Sequence, residues 1–122
     1  MVRCAIDGSV HRRIESLAWF FLLLAGLLEI VWATAMKLSD GFSRPGASVV
    51  TLVASMGSFV LLALAMRSLP LGTAYTVWTG IGAIGAFVVG VVYLGESVTL
   101  MRVMAALLIL TGIMLMKGTS TG

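Results

Sequence analysis

One carboxylate stands alone in an apolar stretch of this chain. Glu29 sits past the middle of the run 17–36, with no other charged residue within seven positions on either side. Acidic residues are costly in a membrane, and those found there face a bundle interior or an aqueous cavity. No Lys or Arg lies inside another apolar run to pair with it. A low dielectric disfavours an unpaired charge, so Glu29 is expected to hold a proton, or a cation in its place. That exchange is the minimum equipment of a proton-coupled cation antiporter. The competing reading is a carboxylic acid that stays protonated and ties helices together.

Several neighbours suit a binding site. Residues three and four apart share a helix face, which puts Ala25, Gly26, Trp32 and Ala33 beside Glu29. The small residues leave room or pack helices. Trp32 supplies an aromatic wall and one indole donor, or else belongs to an interfacial belt. Further along, Tyr75 and Trp78 are three apart. Their rings can hold a cation, and the Tyr75 hydroxyl can bond a carboxylate; a belt position is again the alternative. Ser58 is polar within an apolar stretch, and Ser in such a place often bonds its own helix. Gly82, Ala86 and Gly90 recur every four residues as a packing stripe, and Gly80, Gly82 and Gly85 make their helix easy to bend. Glu96 and Arg102 are expected to face headgroups or each other.

The elements that carry these residues follow from run length. A span needs about 20 mostly apolar residues, and the runs 17–36, 47–66, 72–94 and 100–116 supply four. Backbone groups in lipid must be satisfied internally, so the runs are helices. Lys37 closes the first, where a cation suits a helix C-terminus. Ser39-Asp40-Gly41 reads as a turn, and Pro70 restarts the chain at or before the first turn of the third helix. Ser97 or Thr99 caps the fourth. Such short loops make consecutive helices antiparallel neighbours. The polar stretch 1–16 is expected to be a disordered extension, or the product of an upstream start codon; 17–117 forms the membrane domain, and 118–122 a short tail. Arg12-Arg13, the apolar run and Ala33-Thr34-Ala35 formally resemble a signal peptide, but Glu29 interrupts the run and three more spans follow.

Composition agrees with this class and excludes others. The 122 residues are 60% hydrophobic and 11% charged, with a mean hydropathy of +1.11. A soluble fold this small keeps much of its surface wet and could not hide so much apolar area. The net charge of +3 comes from basic residues scattered over the loops, with no basic stripe interleaved with aromatics, so nucleic acid is discounted. One Cys and one His leave no disulfide and make a metal site improbable. No phosphate-binding glycine loop and no nucleophile paired with a base is present, so no cofactor and no enzymatic activity is expected. Without 1–16, the termini side carries Arg67 and Lys117 against Lys37, Arg44 and Arg102 on the other. So slight a bias permits insertion in both orientations. Adding Arg3, Arg12 and Arg13 favours termini in the cytoplasm.

The run Gly26-Leu27-Leu28-Glu29-Ile30-Val31-Trp32-Ala33, then Lys37, then Asp40-Gly41-Phe42, resembles the small multidrug resistance family. So does Leu69-Pro70-Leu71-Gly72-Thr73-Ala74-Tyr75-Thr76-Val77-Trp78-Thr79-Gly80-Ile81-Gly82. The likeness extends over about 17–117. Trp32 and Trp78-Thr79-Gly80 point within it to the guanidinium-exporter branch. This resemblance implies a proton-coupled antiporter of guanidinium and small guanidinyl or quaternary cations in a bacterial inner membrane. It implies an all-α membrane protein of four transmembrane helices that works as an antiparallel, dual-topology homodimer, or with a heteromeric partner. Glu29 would be the shared proton and substrate carboxylate, with Gly26, Trp32, Ser58, Tyr75 and Trp78 as its shell. The fourth helix, around 107–113, would build much of the dimer contact. The other readings are a broad multidrug exporter, a non-transporting membrane subunit and a proton-leak channel.

Overall fold

A computed structural model of the chain describes residues 2–119. It contains four α-helices: α1 Val2–Leu38, α2 Pro45–Met66, α3 Leu71–Val92 and α4 Leu100–Gly118. Four stretches are long and apolar enough to cross a bilayer: Arg12–Leu38, Pro45–Met66, Leu71–Val92 and Leu100–Gly118. At about 1.5 Å per residue, the 22 residues of α2 or α3 reach across the ~30 Å apolar layer. The expected runs and these helices agree to within about two residues except at the start of α1, expected at 17 and found at Val2. Residues 2–16, expected as a disordered extension or the product of an upstream start codon, are helical and continuous with α1. Met1 and residues 120–122 of the expected tail lie outside the described residues.

Local chemistry places the helix ends. Pro45 is the first residue of α2, where its missing N–H costs nothing, and Arg44 before it is extended, at φ −100° and ψ 116°, as a residue preceding proline must be. Pro70 stands just outside α3. Of the two possible caps for α4, the chain uses Thr99, whose hydroxyl accepts from the Arg102 amide at 3.2 Å. The α1–α2 turn is tighter than its sequence suggests. Asp40, Gly41 and Phe42 all have positive φ, at 50°, 71° and 65°. A bulky residue such as Phe42 is strained there. Buried Ser39 holds the turn, donating to the Met36 carbonyl at 2.6 Å and accepting from the Phe42 amide at 3.1 Å.

The helices do not pack in simple succession. α1 is the central element and packs on both α2 and α3, which meet each other much less. α2 and α3, joined by a short loop, still touch directly through Ser58 and Phe59 against Trp78. Ala18, Leu22 and Ala25 of α1 meet Leu62 and Ala65 of α2 and Ala74, Val77 and Trp78 of α3 in one buried cluster. Alanines on each helix let the backbones approach closely, which is how helices associate in lipid. The backbone of α4 approaches α3 alone, and no residue of α4 is buried.

Candidate functional site

Glu29 projects from the C-terminal third of α1 into its seam with α3. Gly82 makes the space: a Cβ at that position would overlap the carboxyl carbon and Oε2 of Glu29. One residue on, Ile30 fills the corresponding space over Gly85. Gly82, which sequence alone assigned to bending or packing, thus opens the space that the Glu29 carboxyl group occupies. Glu29 Oε2 is buried and has no hydrogen-bond partner among the described residues. The same is true of the Trp32 indole Nε1, one turn along α1. Buried polar atoms are nearly always paired, so an unmatched acceptor and an unmatched donor one helical turn apart in sequence make this seam a candidate binding site. The salt bridge among the described residues joins Arg102 and Glu96, at 4.0 Å, and leaves Glu29 without a cation.

Ser58 is fully buried and joins three helices. Its hydroxyl donates to the Ala25 carbonyl of α1 at 2.6 Å and accepts from Trp78 Nε1 of α3 at 3.0 Å. The self-bonding expected as an alternative is replaced by a bond to another helix. Ala25 lies four residues before Glu29, so the bond fixes the turn of α1 from which the carboxylate springs. Ser58 makes no bond to Glu29 itself.

The aromatic residues form a continuous chain. Trp32 meets Phe59 edge-on, with ring centroids 6.1 Å apart and planes at 63°. Phe59 meets Trp78 at 5.9 Å and 61°, and Trp78 meets Tyr75 at 5.6 Å. Such pairs add about 0.5–1.5 kcal/mol each beyond their burial. Phe59 is the member that sequence reading missed. It is the sole aromatic residue of its run, a weak signal that marks a lipid-facing residue equally well.

The remaining expected shell residues are placed differently. Gly26 faces Ile81, whose Cγ2 would lie 2.6 Å from an added Cβ, so it closes the α1–α3 seam next to the carboxylate. Tyr75 is half exposed, touches Trp78 and lines a groove of about 600 Å³ between α3 and α4, with Thr79, Gly80 and Ile113. No hydrogen bond between Tyr75 and Glu29 forms within the chain. Gly90, the last member of the expected packing stripe, has Glu96 of the following loop as its nearest neighbour. Among the described residues, no three His, Cys, Asp or Glu side chains come together in a way that could hold a metal ion.

Comparison with known proteins adds an independent finding. Residues 17–109 match the Small Multidrug Resistance protein family. Over 101 residues, the chain is 55% identical to the "Guanidinium exporter" of Yersinia pseudotuberculosis, covering 83% of this chain and 97% of that protein. It is 54% identical to the protein of the same name from Escherichia coli K12, with 83% and 96% covered. The "Guanidinium exporter" of Salmonella typhimurium is 48% identical over the same shares.

Proposed function

The chain belongs to the small multidrug resistance family of multi-pass inner-membrane proteins, and from that membership we propose that it is a proton-coupled antiporter exporting guanidinium and small guanidinyl or quaternary cations. The observation that carries this reading is the unpartnered Oε2 of Glu29, buried at the α1–α3 seam with no cation beside it. A planar guanidinium can donate two parallel hydrogen bonds to one carboxylate. A proton and a guanidinium are then alternative occupants of the same atoms. Exchange follows if the site opens to each side of the membrane in turn.

The surroundings favour a small guest. Trp32, Phe59 and Trp78 stand in edge contact close to the carboxylate and leave less room than small residues would. That geometry, with the names of the relatives, favours guanidinium over the bulky aromatic cations of a broad multidrug exporter. The Trp32 indole is a donor, and guanidinium offers only donors. A carboxylate can satisfy it, and a second copy of Glu29 would supply one. The exposed face of α4, with Leu107, Leu108 and Leu110, is available to pair two copies. We therefore infer an antiparallel homodimer in which two Glu29 carboxylates, flanked by Trp32 and braced by Gly26, Ser58, Tyr75 and Trp78, form one shared site.

Reconstitution in liposomes tests the proposal. A guanidinium gradient should drive a transport current through the wild-type protein and none through Glu29→Gln. A response to bulky aromatic cations but not to guanidinium would favour multidrug export. Silence toward both, from folded protein, would sink the homodimeric transporter and favour a subunit that needs a different partner.

A further inference from the structure

At the end of the bundle where α1 enters its span and α2 leaves its own, a groove of about 580 Å³ opens between the two helices. Ile14, Leu17 and Phe21 of α1 and Leu64 of α2 form apolar walls, and Arg67 and Ser68 close the polar end. The apolar span of α2 ends at Met66, so the groove crosses from hydrocarbon depth to headgroup depth within one turn. Its position far from Glu29 along α1 separates it from the transport site.

The charge around it is one-sided. Among the residues whose side chains are described, Arg12, Arg13, Arg67 and Lys117 stand at this end, against Glu15. At the other end Lys37, Arg44 and Arg102 face Asp40 and Glu96, and Arg102 is already engaged by Glu96. Arg67 is exposed and makes no ion pair among the described residues. Lys117 lies 5.6 Å over the ring of Trp19, beside the groove wall, an arrangement suited to a membrane interface. We propose that this groove binds an anionic phospholipid, with the headgroup phosphate on Arg67 and one acyl chain along Leu17, Phe21 and Leu64. Arginine is suited to phosphate because its planar fork makes two parallel bonds. The walls offer the chain an apolar surface at the depth where an acyl chain begins. Arg13 flanks the groove one position before Ile14 and adds to the attraction, while Glu15 on the opposite flank opposes it.

The full-length protein, equilibrated with equal amounts of phosphatidylglycerol and phosphatidylcholine, is analysed by native mass spectrometry for retained lipid. Wild type should retain phosphatidylglycerol over phosphatidylcholine by roughly fivefold, the effect of one cation close to an anionic surface. Arg67→Gln should bring that ratio near unity, and Arg67→Lys should keep the preference. Arg44→Gln, which removes a cation from the opposite end, should leave it unchanged. Equal retention of both lipids by wild type would overturn the proposal, as it would if a second copy of the chain covered the groove. Survival of the preference in Arg67→Gln, or an equal loss in Arg44→Gln, would overturn it too, since either outcome makes the attraction general rather than local.

Discussion

Burying a lone carboxylate such as Glu29 in an apolar run is too costly to be incidental, and the chain makes room for it at Gly82. Gly82 is one of several glycines in α3, and only the approach of α1 distinguishes it. An added Cβ there would overlap the carboxyl group, so Gly82→Ala must push Glu29 aside or part the helices. We expect Gly82→Ala to insert and fold, yet to lose at least tenfold in guanidinium transport at a protein level matching wild type. Flux in proteoliposomes checks this; wild-type flux would mean that the carboxylate works from another position. Ser58 was visible in the sequence as a polar residue out of place, but its partners were not, since both the Ala25 carbonyl and the Trp78 indole lie on other helices. Phe59 lay below notice because lipid-facing and site-lining aromatics look alike in a chain this apolar.

At the scale of the elements, helix number and most boundaries were readable from hydrophobic run length, but the start of α1 was not; Pro70 and Thr99 act where helix-end chemistry puts them, whereas Pro45, read from sequence as part of the turn, opens α2. The order of packing was not readable. Apolar residues cover every side of these helices, so no amphipathic stripe shows which face meets which neighbour. The close approaches reside in small residues and their opposites, among them Gly26 against Ile81. There an added Cβ would lie 2.6 Å from Cγ2 and 2.9 Å from Cβ of Ile81. A β-branched side chain has little rotamer freedom in a helix, so the strain would fall on the α1–α3 spacing. Gly26→Ala should destabilise the folded protein by about 1–3 kcal/mol, as overpacking does. Adding Ile81→Ala should recover part of that loss. Unfolding of the three variants in detergent measures the coupling, and strictly additive effects would show that the two residues do not form the seam.

For the whole molecule, among the described residues α4 has no buried residue, α3 is its one backbone neighbour, and Glu29 Oε2 and Trp32 Nε1 lack partners. Four short helices offer little interior in which to shield a site from lipid, and in the proposed homodimer a second copy across α4 would supply a further wall. The near balance of basic residues between the two sides of 17–117 lets copies insert in opposite senses, while Arg12 and Arg13 on the extended start of α1 weight the outcome toward termini in the cytoplasm. In the proposed exchange, one carboxylate serves proton and guanidinium alternately. If so, binding either must weaken binding of the other by the same factor. The direct measurement is proton release on guanidinium binding to the purified protein, followed with a pH indicator in weak buffer. Wild type should release protons as guanidinium binds, and its apparent affinity should fall as the medium is acidified. Glu29→Gln should release none. Guanidinium binding to wild type without proton release, or with the same release in Glu29→Gln, would contradict the account.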